Sequence, residues 1–270
     1  MVRDARELRG AWATFQTHRY AEPAPDLAPF VSGYWFAEWD LRGQEPYRQK
    51  IVPYPSVHLT FREGTAVVRG PERGHVVRVL EGRGRVFGVT FRPGCFRPFL
   101  GAPVSTITGR SLPAAEVFGP GLPGGDVGEV CGPGLPRGDV EQVEAFLRAT
   151  LPAVDPLAER AAAVVALVRA EPGLTRVDAL AERSGLGVRR LQRLFADHVG
   201  LGPKWVIRRY RLHEVGQRLA AGAVVDWARL ADELGYADQA HFTRDFAAMF
   251  GESPTRYAER YPAGEGDRRH

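Results

Sequence analysis

The sequence is poor in several residue types, and each scarcity excludes something. Two cysteines, Cys95 and Cys131, cannot build the disulfide framework of a small secreted domain and lack the paired spacing of a zinc site. The seven histidines are scattered, with no H-x-H or H-x-x-x-H pair to set two imidazoles on one face of an element, so neither a metal nor another cofactor is expected. No apolar run reaches the roughly 18 residues of a spanning helix. The opening stretch MVRDARELRG carries charge where a signal peptide needs an apolar core, so a cytoplasmic chain with no membrane partner is expected. Lysine is nearly missing as well: only Lys50 and Lys204 stand among 36 basic residues, an imbalance that fits GC-rich coding as much as function.

What is present suits two ordinary domains. A chain of 270 residues, 44% apolar and 25% charged, lies in the globular range and is long enough for two cores. Its net charge of +4 is mild, but unevenly spread. From Arg183 to Arg218 nine basic residues face two acids, a net of +7, whereas Leu219 to Tyr261 carries a net of −3. A local basic stripe is the electrostatic footprint of phosphate binding, although a solvated helix face can look the same.

The first half reads as strands. SVHLTFRE alternates Val57, Leu59 and Phe61 with His58, Thr60 and Arg62, and RVFGVTFRPG places Phe87, Val89 and Phe91 at the same period of two. HVVRVLEGRG is a third candidate strand, and PFVSGYWFAEWDL supplies core aromatics. Short strands between Gly-rich turns predict a small antiparallel barrel or jelly roll, either filled by its own side chains or holding a ligand. No convergent polar constellation can be read from the strands themselves. A nine-residue stretch, GPGLPGGDV, recurs with one change as GPGLPRGDV; residues 119–139 therefore read as a Gly/Pro-rich loop. DVEQVEAFLRATL then has helical spacing, and LPAVDP breaks it, so residues 1–150 are expected to form one domain and 151–156 a linker.

From Leu157 the pattern is helical. LAERAAAVVALVRAEPG stops at Pro-Gly, and TRVD at Thr175 to Asp178 has the form of a capping box opening the next helix. GPKWVIRRYRLHEVGQRLAAG predicts a helix of about nineteen residues, starting near Pro203. Two stretches then align. Leu180-Ala181 and Gly185 precede Leu230-Ala231 and Gly235 by fifty residues. Leu191, Arg193, Phe195, Gly200 and Pro203 precede Phe242, Arg244, Phe246, Gly251 and Pro254 by fifty-one. This is a duplicated helix-turn-helix unit, at about 175–200 and 226–250, whose second helices place apolar residues at i and i+4. Their other faces carry Arg189, Arg190, Gln192 and Arg193 in the first unit, and Gln239, Thr243 and Arg244 with His241 at the edge in the second. Arg suits the two acceptors of guanine, Gln the donor and acceptor of adenine, and a helix fits the major groove. Lys204, at the start of the long helix, suits a phosphate. Double-stranded DNA is the expected partner.

On these residues, above all GYADQAHFTRDFAAMFGESPTRY, the last hundred or so residues resemble the DNA-binding domain of the AraC/XylS family of transcription regulators. The resemblance implies two helix-turn-helix subdomains joined by one long helix, within 157–262, with recognition helices at about Val188 to His198 and Asp238 to Met249. It implies that Arg189, Gln192 and Arg193, then Gln239, Thr243 and Arg244, face bases. Two positions depart from the family's habit: Gly187 stands where Ser or Thr often caps the helix, and Ala240 where a longer polar reader is common. The first half resembles the cupin-like N-terminal domain of some of these regulators through YWFAEWDL and GVTFRPGCFRPFLGAP, which implies effector sensing or self-association. The expected fold is thus multidomain α+β, a mostly-β cupin-like domain followed by an all-α one, without catalysis. A small-molecule effector, a second copy of the chain and RNA polymerase are partners such a regulator admits. The competing class is a DNA repair alkyltransferase with Cys95 in RPGCFRP as methyl acceptor, with Arg92 or Arg97 as the basic neighbour that a thiolate needs.

Overall fold

Short, β-branched and aromatic segments build the first half of the chain. In the computed structural model of the protein, residues 11–119, 122, 137–220 and 225–259 are described. The strands are β1 (Thr17–Ala21), β2 (Val31–Leu41), β3 (Tyr47–Ile51), β4 (His58–Arg62), β5 (Thr65–Arg69), β6 (Val76–Leu80) and β7 (Gly82–Phe91). They are followed by a short helix α1 (Arg97–Leu100), strand β8 (Ser111–Pro113), and helices α2 (Ala114–Phe118) and α3 (Arg137–Ala149). Six strands form one antiparallel sheet in the order β1-β2-β7-β4-β5-β8, and β3 pairs with β6 in a separate two-stranded sheet. Among the described residues the sheet ends at β1 and β8 without closing on itself. The barrel is therefore a loose one: an open sheet with a two-stranded flap over part of one face.

Period-two alternation decides what each face meets. Tyr34, Phe36, Leu59, Phe61, Val68, Phe87, Val89 and Phe91 all point to one side, where they form a continuous core with Phe96, Val104 and Ile107, and with Val143 and Leu147 of α3. The intervening residues face the flap, and Thr60 and Thr90 are buried there although they are polar. The Gly/Pro-rich duplication falls largely outside the described residues.

The second half is helical: α4 (Pro156–Ala170), α5 (Val177–Arg183), α6 (Val188–His198), α7 (Pro203–Ala220), α8 (Trp227–Glu233), α9 (Gln239–Phe250) and α10 (Pro254–Ala258). Among the described residues no helix is long and apolar enough to cross a membrane. Two apolar clusters organise it. One joins α4, α5 and α6 to the start of α7 around Leu191 and Phe195; the other joins the rest of α7 to α8, α9 and α10 around Phe242 and Phe246. Helix α7 belongs to both and links them. The expected capping box is corrected by the structure. Helix α5 is present, but Arg176 occupies its N-cap without a side-chain bond, and Asp178 instead pairs with Arg176 at 2.6 Å.

The two halves are bolted together. Arg209 of α7 is fully buried and donates to the backbone carbonyls of Val52 and, at 2.8 Å, Pro53. Thr108 Oγ1 donates to the Gly200 carbonyl at 2.6 Å, and Trp205 Nε1 to that of Arg73 at 2.9 Å. The second unit is held as well: Lys50 pairs with Glu252 at 3.1 Å, and Val52 enters the cluster around Phe246.

Candidate nucleic-acid interface

The two helix-turn-helix units have the same turn, bond for bond. Leu186 N donates to Ala181 O at 2.9 Å, and fifty residues later Tyr236 N donates to Ala231 O at 2.9 Å. Gly185 and Gly235 sit between these bonds at φ of 63° and 70°, a left-handed backbone that favours glycine. The one-residue insertion falls just after this turn, so Gly187 caps α6 and Asp238, one residue further on, caps α9. The caps differ in chemistry: Asp238 accepts from His241 N at 2.6 Å, whereas Gly187 offers no side chain. Asp226 likewise caps α8 through Ala228 N and Arg229 N.

Each reading helix turns an apolar stripe inward and a polar face outward. In α6, Leu191, Leu194, Phe195 and His198 are buried, while Arg189, Arg190, Gln192 and Arg193 are exposed. In α9, Phe242, Phe246, Met249 and Phe250 are buried, Gln239 and Arg244 are exposed, and Thr243 is half-buried. Lys204 is exposed at the start of α7. Arg189, Arg190, Arg193, Lys204 and Arg244 have no ion-pair partner among the described residues, which leaves their charge available to an external anion.

Other residues of the basic stripe are committed elsewhere, so its net of +7 overstates the charge on the surface. Arg209 bonds the carbonyls of Val52 and Pro53, and Arg211, 2% exposed, bonds the Val168 carbonyl and pairs with Glu214. Arg208 pairs with Asp245 of α9 and lies over the Tyr236 ring at 4.7 Å. That cluster also takes in His241, whose ring meets Tyr236 edge-on with centroids 5.2 Å apart and whose Nε2 lies 3.9 Å from Asp245. His241 thus sits half-buried at the margin of the reading face. Spacing alone gave no sign that Arg208 would brace the second reading helix from the connecting one.

Comparison with known proteins agrees with this geometry. Residues 180–260 match the model of a helix-turn-helix domain family. The C-terminal part is an AraC-type DNA-binding domain. The chain is accordingly a DNA-binding transcription regulator, with the AraC-type domain following a β-rich one. Residues 19–113, ahead of the AraC-type domain, match a domain of unknown function, DUF6597. No curated protein matches the sequence. Among solved structures, ToxT from Vibrio cholerae in a P21 crystal form is 8% identical with a TM-score of 0.41, covering 91% of this chain and 98% of that one. ToxT bound to (E)-4-(8-methylnaphthalen-1-yl)but-3-enoic acid is 9% identical with a TM-score of 0.42, over 91% and 98% of the two chains. The overlays are loose.

Cys95 has the wrong surroundings for a methyl acceptor. It is 3% exposed, and burial pushes its thiol up, against the smaller downward pull of Arg92. An acceptor thiolate needs the opposite shift and access to a DNA base.

Proposed function

We propose that the chain is a one-component regulator that lays α6 and α9 in successive major-groove segments on one face of duplex DNA, under the control of residues 1–150. The observation that carries this reading is the pair of reading helices set by identical turns, whose outward cations have no partner within the described chain. Arg189, Gln192 and Arg193, with Gln239, Thr243 and Arg244, are the base readers, since their donors and acceptors match base edges. Arg190 and Lys204 supply phosphate contacts, and His241 positions the margin of α9. The N-terminal domain can exert control because it grips both units, through Gly200 and Trp205 on one side and Glu252 on the other.

A binding comparison tests the assignment. The operator is first located by footprinting on the upstream region of the chain's own gene. Arg193→Ala should then weaken operator binding by roughly 1 to 3 kcal/mol and relax the preference at one base pair, whereas Lys204→Ala should weaken operator and random DNA alike. Equal losses on both DNAs for Arg193→Ala would remove Arg193 from the readers.

A further inference from the structure

Between the polar face of the six-stranded sheet and the β3–β6 flap lies a cavity of about 540 Å³, within the range of small-ligand sites. Cross-strand pairing builds its floor. His58 stands opposite Thr90 of β7 and Arg69 of β5, and Trp35 stands opposite Gly88. A Cβ at position 88 would lie 2.2 Å from the Trp35 indole, so glycine is what lets the ring lie against the strand. Strand β6 turns Val76 and Arg78 toward the cavity and buries Leu80 on the same face, while Val77 and Val79 on the other face remain 37% and 43% exposed. Apolar residues thus stand on both faces of the strand, and Arg78 shares the inner one with them. A half-buried guanidinium between apolar neighbours, with no ion pair among the described residues, points to an anion that binds it.

The charges facing the cavity are Arg69, Arg78, Arg92 and Arg169 against Glu22 and Glu72. Arg69 is braced by Thr60 Oγ1 at 3.2 Å and Ser111 Oγ at 3.3 Å, neither of which neutralises it. Arg78 has no hydrogen bond or ion pair among the described residues and feels Glu72 only through its field. Burial lowers the pKa of both guanidinium groups, and Arg78 lowers that of Arg69 further, the signature of cations short of a counterion.

The wall toward the helical half is one segment thick. Pro53 and Tyr54 line the cavity, and the carbonyls that hold Arg209 belong to Val52 and Pro53. The Arg209 guanidinium lies over the Tyr54 ring at 4.7 Å, and Tyr54 packs on Tyr210 with centroids 5.7 Å apart. Tyr210 and Arg169, from the helical half, reach the cavity themselves.

Resting on the regulator reading above, we propose that this cavity binds a small organic anion with an aromatic body, held by Arg69 and Arg78, and that its occupancy changes DNA affinity through the Tyr54–Arg209 contact. The aromatic walls of Trp35 and Tyr54 suit a flat body, and the two guanidinium groups suit a carboxylate. The test uses three probes with one ring system: indole-3-acetate, the neutral indole-3-acetamide and the cationic tryptamine, titrated calorimetrically into the full chain. The acid should bind at least about tenfold more tightly than the amide, and the cation more weakly still. That preference should fall in Arg69→Gln and Arg78→Gln and persist in part in Arg78→Lys, each variant being checked for folding by circular dichroism. Equal binding of acid and amide, no binding of the acid, or a preference that survives both Gln variants overturns the anion site. If the Gln variants fail to fold, the wild-type ratio and Arg78→Lys still decide. Operator affinity, measured with and without indole-3-acetate, should change in the wild type and stay constant in Arg78→Gln; no change in the wild type overturns the coupling. A chain that binds no DNA in any condition but still prefers the acid would refute the regulator reading and leave the anion site standing.

Discussion

His58 shows how much one residue's surroundings can decide. Burial first, and the nearby Arg69 and Arg78 second, push its imidazole down to about 4, while its ring bonds Thr90 Oγ1 at 3.1 Å. Above the unfolded value of about 6.5 the group is neutral in both states and stability does not depend on its proton. As pH falls through that value the unfolded chain takes up the proton first, so stability drops down to the folded value, by an amount on the order of 3 kcal/mol. Urea unfolding between about pH 7 and pH 5 should show a steeper loss for the wild type than for His58→Asn. Parallel curves would mean that His58 is not held neutral. In the helical half, Arg209 is fully buried, and two carbonyls of the other domain accept from it.

At the scale of elements, the duplicated units are alike in turns and cores but not in caps. Phe195 and Phe246 occupy equivalent places and both are fully buried. Replacing either with Ala should destabilise the chain by roughly 3 to 5 kcal/mol, and a thermal melt unchanged by one of them would break the equivalence. The caps carry a smaller asymmetry. Asp226→Ala removes the acceptor for two amides at the start of α8 and should cost about 1 kcal/mol. Gly187→Ser at the start of α6 supplies an acceptor and should gain a few tenths of a kcal/mol, read as opposite shifts in chemical denaturation midpoints. Helix α6 thus begins less firmly than α9, at the end that bears Arg189 and Arg190.

For the molecule as a whole, charge distribution sets how the two units divide the work on DNA. Even after Arg208, Arg209 and Arg211 are set aside, the first unit and the start of α7 present four exposed cations without an ion pair among the described residues, Arg189, Arg190, Arg193 and Lys204. The second presents Arg244 on a helix that Asp238 caps and that also bears Asp245, which is committed to Arg208. Phosphate neutralisation makes affinity fall with salt by about 0.9 log units per contact for each decade. Arg189→Ala with Arg193→Ala removes two base readers and, with them, half of those four charges, and should abolish measurable binding at physiological salt. Gln239→Ala with Arg244→Ala should leave weaker binding and a footprint shortened by about one half-site. Salt-titrated fluorescence anisotropy with footprinting measures both, and greater damage from the second pair would reverse the assignment of roles.

Much of this protein follows from local pattern. Both reading helices, the turn glycines, the long connecting helix and the alternating strands could be read from the sequence, because periodicity and turn chemistry act within a few residues and the duplication displays them twice. Tertiary structure decided what lies on the far side of each pattern. His58, Thr60 and Thr90 alternate with the apolar residues of two separate strands, and Arg69 lies on a strand that the sequence pattern did not reveal; only pairing, with β7 between β2 and β4 and β5 beside β4, gathers them under a flap that contributes Arg78. Likewise Arg208, Arg209 and Arg211 add to a basic stripe when counted along the chain. Their guanidinium groups reach instead to Asp245, to the carbonyls of Val52 and Pro53, and to that of Val168. A long side chain's partner is set by what the fold brings within its reach, and segments over a hundred residues apart carry no mark in the sequence that they will meet.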